Sequence, residues 1–401
     1  MRRLPTRDAQ RTRRKGRRGE VRGGGRQGRF GAKALLLAAV PLALLAGACG
    51  SSGDDSGDST GGSSSGGLDE ITSGWVWYGP IQDTGWNVAN EAGQNALEEA
   101  FGDSATVLNA DNVPYTDEAA PVFEQFVTTQ NANVLVDTVG HGEVFTEVCD
   151  KHLDIYCIQT APFTKLGKNT TGWFPKLWII EYTAGVAAGL STKGDTVGYV
   201  LGYKLPLITG AVNAFTMGCR SVNPQCDVRT VVTNDYYNPP KTSQAVSTLL
   251  DAGADVIRSY TDDQGYCEVV KDKGDALVIG EFWTNGEQCA ENALVSTVWD
   301  FEDYYTSQFE AIQNGEFVSK QLEFLDPETS FRFEDWGPNV PEEVQAQVEQ
   351  TFADLASGAE NPFVGPIKDN AGKVRVPAGE ELSDQFLYAE WEWYVEGIQA
   401  G

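Results

Sequence analysis

Val256-Ile257-Arg258-Ser259-Tyr260-Thr261-Asp262-Asp263 is a short run of β-type residues that breaks into a polar loop. The helical pattern Lys241–Ala252 precedes it, and another helix starts near Tyr266. The same unit recurs along the chain. Strands are expected at Trp75–Tyr78, Thr106–Asn109, Val134–Asp137 and Ile155–Gln159. After a helix at Glu181–Thr192 they resume at Val197–Leu201, Val228–Thr233, Ala276–Gly280 and Leu294–Val298. Amphipathic stretches such as Asn87–Phe101, Asp117–Thr129, Pro206–Ser221 and Glu302–Asn314 lie between them. Strand, helix, strand at this spacing argues for parallel sheets with right-handed crossovers. Two blocks of four or five units predict an α/β protein made of two doubly wound parallel-sheet lobes joined by a hinge. A closed eight-unit barrel is the rival architecture, and the break between the blocks speaks against it.

The strand ends carry the unusual residues. Asp83, Trp86 and Asn87 follow the first strand and His141 follows the third. Tyr203, Tyr236, Tyr237, Asp262, Asp263, Glu281 and Trp299 close the strands of the second block. Ligands of open α/β sheets bind beyond the carboxyl ends of the strands. Two lobes with such loops facing each other make an aromatic, acidic cleft, the geometry of a hinged binding protein.

Charge narrows the partners. Of the 30 Lys and Arg, 13 fall before residue 34 with only two acids, leaving 17 bases against 55 acids in the remainder. That surface repels phosphate backbones, so no nucleic-acid partner is expected. The apolar run Ala34–Ala48 has 15 residues, short of the roughly 20 that span a bilayer and within the core of a secretory signal. It ends at Cys49, and Gly50–Gly67 contains only Gly, Ser, Asp and Thr, too polar to fold. A basic leader, an apolar stretch, small residues and a cysteine resemble a bacterial lipoprotein signal. The resemblance implies cleavage before Cys49, acylation of that cysteine and a membrane-anchored, extracytoplasmic protein. The expected organisation is a signal peptide at 1–48, a flexible tether at 49–67, lobe 1 at 68–193, lobe 2 at 194–299, and 300–401 returning to lobe 1 with the hinge and a C-terminal extension.

With Cys49 set aside, six cysteines remain in three close pairs, Cys149 and Cys157, Cys219 and Cys226, Cys267 and Cys289. Six cysteines allow 15 connectivities, and local pairing as disulfides suits the spacing and an oxidising compartment. The chain has no C-x-x-C and only His141 and His152, so no metal site and no cofactor is expected.

Tyr78-Gly79-Pro80, Asp83-x-Gly85-Trp86, Asn213-Ala214-Phe215, Gly253-Ala254-Asp255-Val256 and Gly365-Pro366-Ile367-Lys368-Asp369 with Gly372-Lys373-Val374-Arg375-Val376-Pro377 resemble the basic membrane protein family of ABC-transporter substrate-binding lipoproteins. The resemblance runs from about Trp75 to the C-terminus. It implies a type I periplasmic-binding-protein fold, a purine base or nucleoside as ligand, an ABC permease as partner and no enzymatic activity; a monomer is expected. By the same resemblance Trp86 stacks on the base, Asn87 bonds it with Asp83 nearby, and Tyr236, or else Tyr237, supplies the second aromatic. Asp262 or Asp263 accepts from ligand hydroxyls or ring N–H groups, and His141 adds a polar contact. Nucleoside-binding members carry a Lys where this chain has Trp299-Asp300, which leans towards a base or another flat heterocycle. An extracytoplasmic sensor of the same fold that binds the same ligand class is the first alternative function, and an enzyme acting on a small heterocycle the second.

Overall fold

The computed structural model describes residues 67–282 and 286–401. The leader, Cys49 and the tether lie outside the described residues apart from Gly67. In the first block, β1 (Ile71–Val76), α1 (Trp86–Phe101), β2 (Ala105–Ala110), α2 (Ala120–Gln130), β3 (Val134–Asp137), α3 (Glu143–Lys151), β4 (Tyr156–Thr160) and β5 (Thr170–Pro175) alternate as the sequence pattern predicts. The second block repeats the plan with α4 (Leu177–Ser191), β6 (Thr196–Leu201), α5 (Pro206–Val222), β7 (Asp227–Val232), α6 (Pro239–Asp251), β8 (Val256–Tyr260), α7 (Gly265–Lys273), β9 (Leu277–Phe282), the single turn α8 (Gly286–Cys289) and β10 (Ala293–Trp299). Strand β5 escapes the sequence reading because its Gly172 and Pro175 interrupt the β-type run.

The chain then crosses back through α9 (Glu302–Asn314), β11 (Leu322–Leu325), α10 (Pro327–Ser330), β12 (Phe331–Glu334), α11 (Glu342–Ala356), the ribbon of β13 (Ile367–Lys368) and β14 (Val374–Val376), α12 (Asp384–Ala389) and β15 (Ile398–Ala400). The first sheet has the order β11-β5-β4-β3-β1-β2 and the second β12-β10-β9-β8-β6-β7-β15. The pairs in both sheets are parallel except β10 with β12, which is antiparallel. This is the α/β, two-sheet architecture expected of a type I binding protein. In each sheet the order reverses once, between β1 and β3 and between β6 and β8, and such switch points open a crevice at the strand ends.

Three segments carry the chain between the sheets, after β5, after β10 and after β11. They lie side by side, since Pro175 pairs with Leu325 and Trp299 with Phe331. The amide of Asp300 donates to the Ser330 carbonyl at 2.9 Å. Residues 300–401 divide between the lobes: β11 joins the first sheet, and β12 and β15 join the second. The acidic stretch 328–350 is part of this fold, since α11 lies against α4 and buries Val348 and Leu355.

Helices α4 and α5 pack backbone to backbone. A Cβ added at Gly185 would sit 1.9 Å from the Phe215 carbonyl oxygen, and one at Gly218 would sit 1.9 Å from that of Tyr182, so only glycine allows this approach. Disulfides join Cys149 to Cys157, Cys219 to Cys226 and Cys267 to Cys289. The first two pin a helix end to the neighbouring strand.

Beneath the second sheet lies a fully buried ionic cluster. The Arg258 guanidinium pairs with Glu181 and lies 3.3 Å from the Glu281 carboxylate, while the Tyr199 hydroxyl donates to Glu181 at 2.8 Å. Removing one partner of a buried pair strands the others without a counter-charge. Arg258→Met should therefore lower unfolding free energy by about 3–5 kcal/mol. Both glutamates would then have to bind protons to stay buried, so the loss should grow as pH rises. Urea unfolding at two pH values checks this, and a loss below about 1 kcal/mol would refute it.

Candidate functional site

The carboxyl ends of strands from both sheets surround one cavity of about 340 Å³. The first lobe contributes Tyr78 and Trp86 after β1, Val139 and Gly140 after β3, and Phe174 from β5. The second contributes Tyr203 after β6, Tyr236 after β7, Tyr260 and Asp262 at the end of β8, and Phe282 at the end of β9. Aromatic rings dominate the wall, and among the described residues its only carboxylate is Asp262.

Trp86, the first residue of α1, is fixed at both ends. Its indole N–H donates to the Thr138 carbonyl at 2.7 Å. Its ring stacks near Trp173 and Phe174 at 6.3 and 6.2 Å and meets Phe282 edge-on at 6.0 Å. Opposite, Tyr236 lies flat on Gly202, where a Cβ would come within 2.4 Å of the ring. It also contacts Tyr203 edge-to-face at 4.9 Å. Of the adjacent tyrosines, Tyr236 points into the cavity and Tyr237 is 41 % exposed. The Tyr78 hydroxyl pairs with Tyr203, and burial together with nearby acids pushes its pKa up to about 12. Tyr78 also stacks on Tyr115 at 4.5 Å.

Asp262 crosses the cleft. Its Oδ1 accepts the backbone N–H of Trp86 at 3.1 Å and its carbonyl accepts that of Thr84 at 3.3 Å. Gly85 permits the contact, because a Cβ there would lie 2.4 Å from the Asp262 Cα. A carboxylate at the positive end of a helix is favourable. Burial first and the neighbouring Asp83 second outweigh that backbone contact and hold its pKa well above the ordinary carboxylate range.

Of the ten expected ligand residues, Trp86, Asn87, Tyr203, Tyr236 and Asp262 line the cavity. Asn87 turns its amide N–H groups to the Tyr78 and Pro80 carbonyls, both at 2.8 Å, which leaves only its oxygen for a ligand. The other five sit behind the wall. Asp83 caps α1, accepting from the amides of Gly85, Asn87 and Val88, and burial pushes its pKa up to about 7. Asp263 caps α7 through the Gly265 amide and holds Asn238 and Thr242 at the start of α6. Glu281 belongs to the Arg258 cluster. Trp299 is buried beneath Phe282 and Trp86, at 4.7 and 5.7 Å.

His141 is tied to Asp137 by its ring Nδ1 at 2.8 Å and its backbone N–H at 2.6 Å. Burial alone would lower its pKa, but the Asp137 carboxylate outweighs burial and raises it. The sequence reading missed Tyr115, Tyr260, Phe282 and Phe163 as wall residues. Tyr260 and Phe282 were legible as inward residues at strand ends. Tyr115 depends on the path of the loop after β2, which bonds back to Trp77 and Gly79.

Comparison with known proteins agrees with this geometry. The model of the PnrA-like ABC transporter substrate-binding family matches residues 72–326. A purine-binding protein of Brucella abortus is 26% identical over 330 residues, covering 82% of this chain and 93% of its own. A protein of Haloferax volcanii, provisionally named an ABC transporter glucose-binding protein, is 27% identical over 341 residues, covering 82% and 80%. Among solved structures, an ABC transporter solute-binding protein from Conexibacter woesei superposes with a TM-score of 0.59 at 22% identity, covering 73% of this chain and 98% of that one. With that match and a cleft between two lobes, the chain belongs to the Bmp family of PnrA-like ABC transporter substrate-binding proteins.

Proposed function

We propose that this protein captures a purine base or a similar flat heterocycle between its lobes and delivers it to an ABC permease, held at the outer face of a membrane by acylated Cys49. The observation that carries the reading is the aromatic wall closed across the cleft by Asp262. Each aromatic contact to a planar ligand adds about 0.5–1.5 kcal/mol beyond area burial. A hexose presents hydroxyls on every side, and each one buried without a partner costs about 1–3 kcal/mol. The Leu205, Leu207 and Ile208 side of the cavity offers such hydroxyls no side-chain partner. That contrast favours the ligand class of the Brucella relative over that of the Haloferax relative. Selectivity falls to the few polar groups on the wall, Asp262, the Asn87 oxygen and the tyrosine hydroxyls.

Calorimetry against purine bases, nucleosides and hexoses tests the assignment. Tyr236→Ala should weaken binding of the preferred purine at least tenfold, while Tyr237→Ala on the exposed neighbour leaves affinity unchanged. Hexose binding without purine binding would overturn the ligand class. For the anchor, Cys49→Ser should shift the protein from the membrane fraction to the medium and abolish metabolic labelling with fatty acid. Labelling that persists in this variant would exclude Cys49 as the acylated residue.

A further inference from the structure

We infer that the cleft is built for an organic cation, so that the heterocycle it takes carries a positive charge. This rests on the heterocycle reading for the ligand's shape but not for its charge.

The first observation is the arrangement of the rings. The walls are not two parallel plates. Tyr203 meets Tyr236 at 66°, Tyr260 meets Phe282 at 72° and Trp86 meets Phe282 at 84°. Other wall pairs are nearly parallel, Trp86 with Phe174 at 19° and Tyr78 with Tyr115 at 26°, so the cavity is lined by rings in several orientations. That is the geometry of a cage for a cation, with Trp the strongest single contributor.

The second observation is an uncompensated carboxylate. Asp262 Oδ1 accepts the Trp86 amide, and no donor among the described residues reaches Oδ2. The titratable groups that face Asp262 are Asp83, Asp263, Glu281, Tyr78, Tyr115, Tyr236 and Tyr260, none of them basic. Five basic side chains close in sequence to wall residues have partners outside the cavity. His141 bonds Asp137, and Lys176 pairs with Asp384 at 3.0 Å. Lys204 lies over Tyr394, Lys241 pairs with Asp235 at 3.1 Å, and Arg258 is sealed with Glu181. The raised Asp262 carboxyl has the same origin, a buried acid without its counter-charge, which a cationic ligand supplies.

Two pairs that differ by one ring N-methyl group and its charge test the inference, 1-methylnicotinamide against nicotinamide, and 7-methylguanosine at pH 6 against guanosine, with choline as a cation lacking a ring. Calorimetry should show the cationic member of each pair binding at least tenfold tighter than its neutral partner. In Asp262→Asn, checked for folding by circular dichroism, that preference should fall below threefold. As a second handle, Tyr236→Phe should retain the preference, and Tyr236→Leu, which keeps volume but not the π face, should reduce it. Equal or tighter binding of the neutral members, or an unchanged preference in Asp262→Asn, overturns the inference and leaves the heterocycle reading standing. Binding of choline but of no ring compound supports the charge assignment and removes the heterocycle. Binding of none of the probes overturns the charge assignment, and the purine panel above decides the heterocycle reading separately.

Discussion

The contact between the Asp262 carboxylate and the backbone at the start of α1 is the constraint on which the cleft depends. It joins the end of β8 in the second lobe to the first turn of a helix in the other lobe. The first amides of a helix have no partner inside it. Asp83 satisfies those of Gly85, Asn87 and Val88 from within its own lobe, and Asp262 takes that of Trp86 from across the gap. Two acids therefore share one helix end. Their mutual repulsion and burial are only partly offset by backbone dipoles, and no basic side chain helps, so both carboxyls titrate above the ordinary range. The joint consists of a few hydrogen bonds to one residue, the Trp86 amide on the Asp262 carboxylate and the Thr84 amide on its carbonyl.

Everything behind that joint keeps it rigid. Trp86 continues into an aromatic stack through Trp173, Phe174 and Phe301, which reaches the segments crossing between the sheets. On the other side, Tyr236 rests on Gly202, and Asp263 fixes the starts of α6 and α7. The acids that read as ligand contacts thus divide by task. Asp262 faces the cavity, while Asp83, Asp263 and Glu281 hold the elements that present it. Rigid lobes that move as bodies about a few crossing segments are the usual device for closing around a small solute.

The repeating strand–helix pattern was legible because hydrophobic period and turn residues are local properties. Val134–Asp137, Val256–Tyr260 and Glu302–Asn314 fall where the pattern put them. Strand β5 was not legible, because its Gly172 and Pro175 weaken the pattern and its place depends on pairing with β4 and β11. Strand β15 is too short to signal itself, and β12, though as long as β3, carries Arg332 and Glu334 in place of an apolar run; they exist through pairing with β7 and β10. At the site, Trp86 and Tyr236 stood out as aromatics at strand ends. No local signal separated Asp262 from Asp263, or Tyr236 from Tyr237, since adjacent residues point to opposite sides and the choice falls to packing.

The sequence by itself determined the class of fold, the alternation of elements, an aromatic and acidic character at the strand ends, and a strongly acidic composition after the leader. These follow from composition and period, which do not depend on how distant segments meet. Only the tertiary structure decided which polar residues face the cavity and which cap helices, that residues 300–401 serve both sheets, and that the rings enclose a space with one carboxylate and no base. Each of these depends on contacts between residues far apart in the chain, and Asp262 meeting Trp86 across 176 positions is the clearest of them.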